Sequence, residues 1–283
     1  MKGDHEPPRR EWRVKRSGIE LAVAEPSVPG RPSRDGGPVA LIAHGAGSSA
    51  AFIASAFARP LHASGLRLVT YDLRGHGRSA LARSSDDHHI DEHAADLAAV
   101  AASIRGEVMV VGGVSLGAHA AVRAVTREGL SCHAVLACLP AWTGKATPGE
   151  GPHAATAAEV QHVGVSRVIA RLQVESGIPR WLRETLVAAY SGHDPASLIA
   201  ALAALDGGEA PNRIEIGSLP VPLAVVGWDG DPGHPIEVAR EWVGAAASGH
   251  LVTVEFDAME QGVVRLGEGA VEALAAVGPL PAE

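Results

Sequence analysis

The chain has 283 residues, with 24 Lys and Arg against 32 Asp and Glu for a formal charge of −8. An acidic chain with no basic run long enough to track a phosphate backbone argues against nucleic acid as a partner. No stretch approaches the roughly 20 apolar residues of a membrane span, and Met1 to Arg10 carries charges with no apolar segment behind them, so no membrane is expected and the protein is expected in the cytoplasm. Cys132 and Cys138 flank and enter one predicted strand, where an advance of about 3.3 Å per residue carries them beyond disulfide reach, so both are expected as free thiols.

In chain order, Trp12 to Ala24 reads as a hairpin turning at Ser17-Gly18, and the Pro, Gly, Ser and Arg-rich stretch from Pro26 to Pro38 as a loop. Val39 to His44 is a continuous apolar strand, followed by Gly45-Ala46-Gly47-Ser48-Ser49 and a helix over Ala50 to Ala63. Arg67 to Asp72 is the next strand, Ile90 to Ile104 a helix, and Glu107 to Val114 another strand running into an Ala-rich helix. His133 to Leu139, Pro222 to Trp228 and Val252 to Phe256 complete the strands. Short apolar strands separated by helices predict a mostly parallel sheet covered on both faces.

Between Ala141 and Arg213 the alternation breaks. Helical periodicity runs over Ala157 to Val174, Trp181 to Tyr190 and Pro195 to Leu205. The expected organisation is therefore a core of residues 1–140 and 214–283 carrying a helical cap at 141–213. An insertion there is expected over the carboxyl ends of the strands, where such sheets bind ligands. Trp142 and Trp181 are then candidates for substrate contact or for packing the cap.

The densest chemical signal is Gly113-Val114-Ser115-Leu116-Gly117 at the end of an apolar strand and the start of a helix. A sharp strand-to-helix turn needs small neighbours, and the two glycines supply that room while Ser115 is lifted clear of the sheet. With His44-Gly45-Ala46-Gly47 and Tyr71-Asp72-Leu73-Arg74-Gly75-His76-Gly77-Arg78-Ser79, each preceded by a strand, the chain resembles an α/β-hydrolase-fold protein from Trp12 to its C-terminus. The resemblance implies an eight-stranded, mostly parallel sheet flanked by helices. It also implies Ser115 as nucleophile, with the backbone N–H groups of Ala46 and Leu116 as the oxyanion hole.

By the same resemblance an acid follows the seventh strand, where Asp231 fits best and Asp229 is the alternative. The family's base is a histidine shortly after the eighth strand. Here the last of the 14 histidines is His250, and Glu260 or Gln261 occupies the base neighbourhood, which is therefore vacant. His44 is the stand-in best placed, because the third strand is expected beside the fifth; an imidazole there can equally bond loop backbone. His119 is expected in helix packing, His234 as the cap of a turn near Asp231, and His153, His162 and His193 in the cap. His76, His88, His89 and His93 are expected as solvated or packing residues.

A poor base protects an acyl-enzyme from water. The implied activity is thus serine-dependent acyl transfer, or slow hydrolysis, on an ester, thioester or carrier-bound acyl group in bacterial biosynthetic metabolism. The alternative is a non-hydrolytic protein that keeps the pocket to bind a small molecule. Neither reading calls for a cofactor or a metal, and the oligomeric state is left open.

Overall fold

The first described elements form an antiparallel hairpin, β1 (Arg10–Arg16) and β2 (Ile19–Glu25). Its turn residues Ser17 and Gly18 both have positive φ, 48° and 78°, the combination that matches the twist of paired strands. The computed structural model describes residues 10–30, 36–149, 152–231, 233–278 and 280. The charged N-terminal stretch before Arg10 and residues 31–35 of the expected loop lie outside the described residues.

Alternation then sets in: β3 (Val39–Ala43), α1 (Ala50–Ala63), β4 (Arg67–Tyr71), α2 (Ile90–Ser103), β5 (Val108–Val114), α3 (Leu116–Thr126) and β6 (Ala134–Cys138). After the insertion come β7 (Leu223–Asp229), β8 (Gly249–Glu255) and a helix over Val264–Val277. The eight strands pair in the order β1-β2-β4-β3-β5-β6-β7-β8, parallel from β4 onward. This is the eight-stranded, mostly parallel sheet flanked by helices that the resemblance to α/β-hydrolase-fold proteins implies. The last strand starts at Gly249, before the expected Val252, because its ladder with β7 already begins at Leu223 opposite Gly249.

All residues of β3, β4 and β6 are buried, as a sheet covered on both faces requires. On one face Leu41, Val111, Val135 and Val225 pack with Leu97, Val122 and Trp242 from the helices. On the other, Ile42, Val110, Leu136 and Val226 pack with Phe57 and Leu61 of α1 and with Leu266 and Leu274 near the C-terminus. Cys132 and Cys138 are free thiols. Among the described residues no helix is long and apolar enough to cross a membrane.

The excursion between β6 and β7 contains α4 (Pro152–Val163), α5 (Val165–Val174), α6 (Arg180–Ser191) and α7 (Pro195–Leu205), and a short helix α8 (Arg213–Gly217) leads back to the sheet. The single helical period expected over Ala157 to Val174 is two helices, broken at Gly164, whose φ of 84° no helix interior accommodates. Val160, Leu172, Tyr190, Leu198 and Leu202 form an apolar cluster private to these helices. The neck is closed by a bridge between Lys145 and Glu209 and by hydrogen bonds from the Gly144 amide to the Pro211 carbonyl and from the Ala210 amide back to Gly144. A ninth helix, α9 (Ile236–Ala245), links β7 to β8, and the C-terminal helix is α10.

Candidate active site

Ser115 sits between β5 and α3 at φ 52°, ψ −116°, a conformation that L-residues adopt only when their surroundings enforce it. The Ser115 amide donates to the Cys138 carbonyl at 2.8 Å, and the Ser115 carbonyl accepts from Ala118 and His119 at 2.8 and 3.1 Å. A Cβ on Gly113 would run into the backbone of Gly117, and one on Gly117 would lie 2.5 Å from the Ala43 carbonyl oxygen. The glycine spacing in the sequence thus answers to close backbone contact, and the hydroxyl stands at the carboxyl edge of the sheet.

That hydroxyl has an imidazole partner: His234 Nε2 lies 3.1 Å from Ser115 Oγ. The other ring nitrogen, Nδ1, lies 2.7 Å from Asp231 Oδ2, and Asp231 Oδ1 accepts from the Gly233 amide at 2.8 Å. A carboxylate only accepts, so Nδ1 carries the proton and Nε2 presents its lone pair to the serine O–H. Burial alone would push Asp231 up, but the hydrogen bonds from the His234 ring and from the Gly233 and His234 amides outweigh it and hold the carboxyl below its ordinary range. Ser115, His234 and Asp231 therefore form one hydrogen-bonded line, with both the acid and the imidazole supplied by the loop after β7.

Two expectations about the base need correction. His44 is fully buried and does not face Ser115: its Nε2 accepts from the Leu73 amide at 2.9 Å and its Nδ1 donates to the Gly45 carbonyl at 2.7 Å. Burial pushes its imidazole down to about 4, opposed in part by the charge of Asp72, so it stays neutral. His234 does not merely cap a turn; it occupies the place expected of a residue after β8. Glu260 lies elsewhere, in a 3₁₀ turn over Phe256–Gln261, with Oε1 3.5 Å from the Trp181 amide and Oε2 3.8 Å from Arg180 Nε. Glu260 and Gln261 border an open cleft of about 560 Å³ between α1 and α6 that neither Ser115 nor His234 lines. Asp229 is exposed at the end of β7.

The loop after β3 lies against the serine, since a Cβ on Gly45 would come within 3.2 Å of Ser115 Cβ. Among the described residues neither the Ala46 nor the Leu116 amide donates to another backbone group, and Leu116 opens α3. Trp142 packs edge-on against His119 at 4.7 Å. Trp181 packs edge-on against Trp228 and Phe256, each at 5.2 Å, and Trp228 in turn lies 6.4 Å from His234. From the insertion, His153 is pushed down to about 4 by burial first and then by His234, which places a second imidazole within electrostatic range of the first.

The available sequence signal for His234 was Asp231-Pro232-Gly233-His234-Pro235, an acid and an imidazole three positions apart at the carboxyl end of a core strand. Expecting the base only after the last strand concealed it. No group of three or more His, Cys, Asp or Glu suited to a metal ion occurs among the described residues.

A model described as the alpha/beta hydrolase family matches residues 40–265. No curated protein matches the chain in sequence. Similar solved structures include a bromoperoxidase from Bacillus anthracis, 16% identical with a TM-score of 0.72 over 94% of this chain and 100% of that one. An enol-lactonase from Burkholderia xenovorans is 19% identical with a TM-score of 0.70 over 94% and 100%. An esterase from Thermogutta terrifontis is 19% identical with a TM-score of 0.65 over 95% and 99%. At such identities the likeness is one of fold.

Proposed function

Starting from the fact that this chain belongs to the alpha/beta hydrolase family, we propose that it cleaves carboxylic esters or similar activated acyl compounds through an acyl-Ser115 intermediate. The observation that carries this reading is the line from Ser115 through His234 to Asp231, at 3.1 and 2.7 Å. As the Ser115 oxygen attacks the acyl carbon, His234 Nε2 takes its proton. Asp231 keeps the ring in the required tautomer and stabilises the imidazolium. Charge on the carbonyl oxygen is met by the Leu116 and Ala46 amides, helped by the positive end of α3. The C–O bond to the leaving group then breaks as His234 returns the proton to that oxygen. Water, deprotonated by the same nitrogen, releases the acid from Ser115.

A preference for transfer over hydrolysis rested on the lack of an imidazole able to activate water. With His234 beside Ser115 that reason disappears, because the imidazole can deprotonate water as it can an amine, thiol or alcohol. The names enol-lactonase and esterase among the similar structures describe cyclic and open carboxylic esters, which agrees with this substrate class. In this reading the segment between β6 and β7 contributes to substrate contact through Trp181, which packs on Trp228 near His234, and through Trp142, which packs on His119.

The test is reaction with a serine-directed fluorophosphonate followed by peptide mapping. Labelling at Ser115 that disappears in His234→Ala supports the proposal. A folded protein that is not labelled, and that hydrolyses no nitrophenyl ester, would leave only the binding-protein reading.

A further inference from the structure

The segment Tyr71 to Ser79 is a motif that the acyl-transfer chemistry above does not use, and it holds the loop that the chemistry does use. His44 Nε2 accepts from the Leu73 amide at 2.9 Å, and Asp72 Oδ1 accepts from the Ala50 amide at 2.9 Å, just beyond the loop. The most consequential bond is a third one. The Gly47 amide donates to His76 Nε2 at 3.0 Å, while His76 Nδ1 donates to the Arg74 carbonyl at 2.8 Å. Both ring nitrogens of a fully buried imidazole are thus committed, and its tautomer is set by the Arg74 carbonyl.

Gly47 follows directly on Ala46, and the strand side of the same loop touches Ser115 through Gly45. Gly47 has a φ of 70°, and a Cβ there would meet Tyr190 at 3.1 Å and Leu198 at 3.6 Å, so the inserted helices press on the loop from outside. From the same insertion the ring of His193 stands edge-on to His76 at 4.8 Å, its own Nδ1 bonded to the Ala189 carbonyl. The Gly47 amide is therefore gripped from below by His76, and the loop is covered from above by α6 and α7.

We propose that His76 is a positioning residue: by accepting the Gly47 N–H it orients the preceding peptide so that the Ala46 N–H faces the oxygen that becomes negative at Ser115. This rests on the reading of Ala46 as an oxyanion donor. Its energetic effect belongs to the transition state, because the donor's aim matters most when charge has developed on that oxygen. Substrate in its ground state gains little from it.

Two amide variants separate this role from simple packing. His76→Asn keeps a donor near the Arg74 carbonyl but is too short to reach the Gly47 amide. His76→Gln carries a carbonyl oxygen near the position of Nε2. For nitrophenyl acetate, kcat is expected to fall about 10- to 100-fold in His76→Asn with KM little changed, part of the ~10²–10³ cost of losing an oxyanion donor outright. Affinity for phenylboronic acid should fall in parallel, since its adduct forms when Ser115 Oγ bonds to boron, its proton passes to His234 and a boron-bound oxygen takes the oxyanion position. His76→Gln should recover most of both losses.

His76→Phe, which keeps a ring without an acceptor, should behave as the Asn variant and replaces it if that protein does not fold. Equal kcat and boronate affinity in folded Asn and Gln variants would overturn the proposal, as would failure of both acceptor-free variants to fold, since His76 would then be structural. Turnover that survives Ser115→Ala would instead overturn the acyl-serine reading itself.

Discussion

His234 and Ser115 are 119 positions apart in the chain, yet an imidazole nitrogen of one lies 3.1 Å from the hydroxyl oxygen of the other. The relationship joins the loop after β7 to the turn after β5 across the intervening strand β6. The base and the acid, three positions apart, both come from that one loop.

Removal of the imidazole should cost most of the rate. Ser115→Ala and His234→Ala are each expected to lower kcat for nitrophenyl acetate by about 10³-fold or more, and the double variant by little beyond either alone, because the two act as a unit. Asp231→Asn should cost about 10²–10⁴-fold through the wrong tautomer. Steady-state kinetics on proteins with unchanged circular dichroism checks all of these; additive losses in the double variant would contradict the shared role.

Placing histidine after β8 should bring no gain. Glu260→His and Gln261→His put an imidazole into the turn beside Trp181 and Arg180, where Glu260 now makes its contacts, while the serine already has its base. Hydrolysis is expected to stay within about twofold of the parent, against the ~10²–10⁴-fold that general-base assistance supplies to a site lacking it. A tenfold increase in either variant would show that His234 is not the working base.

The glycines at the turn carry stability as well as shape. Gly117→Ala would place its Cβ 2.5 Å from the Ala43 carbonyl oxygen, at the end of β3, and 2.8 Å from that of His44, just beyond it. Rigid backbone cannot yield cheaply, so the variant should lose about 1–3 kcal/mol or more in urea unfolding. Gly129→Ala, where a Cβ meets nothing within 4 Å but φ is 68°, should lose less, through backbone strain alone. Equal midpoints for the two would contradict this account.

Acid should destabilise the protein through its buried histidines. His44 is pushed down to about 4 and His119 to about 3, each chiefly by burial, and His76, His88, His93 and His193 are shifted the same way for the same first reason. Unfolded histidines titrate near 6.5, so between that value and the folded one the unfolded state binds more protons. Stability is therefore unaffected above that window and falls as pH drops through it, by about 1.4 kcal/mol per pH unit for each such histidine. Asp231, held low in the folded protein, adds its loss only at still more acid pH. Urea midpoints at pH 7, 6 and 5 should decline steeply; a flat series would contradict burial of neutral rings.

What the sequence determined by itself was local or periodic. Apolar runs alternating with helical periods led to the order of strands and helices. Ser17-Gly18 marked the hairpin, and the glycines about Ser115 marked a turn whose tightness is a property of adjacent residues. The inserted helices were legible from the break in alternation, except that Gly164 splits one of them. The partner of the serine was decided only in three dimensions. Which of the 14 histidines reaches Ser115 depends on how β7 lies in the sheet relative to β5 and on a loop whose path is set by Gly230, Gly233 and the Asp231 hydrogen bonds. Spacing along the chain carries no information about a contact 119 residues apart. His44 and His76 show the converse, since both were visible in motifs, but only the burial and bonding of their rings reveal that they hold backbone in place.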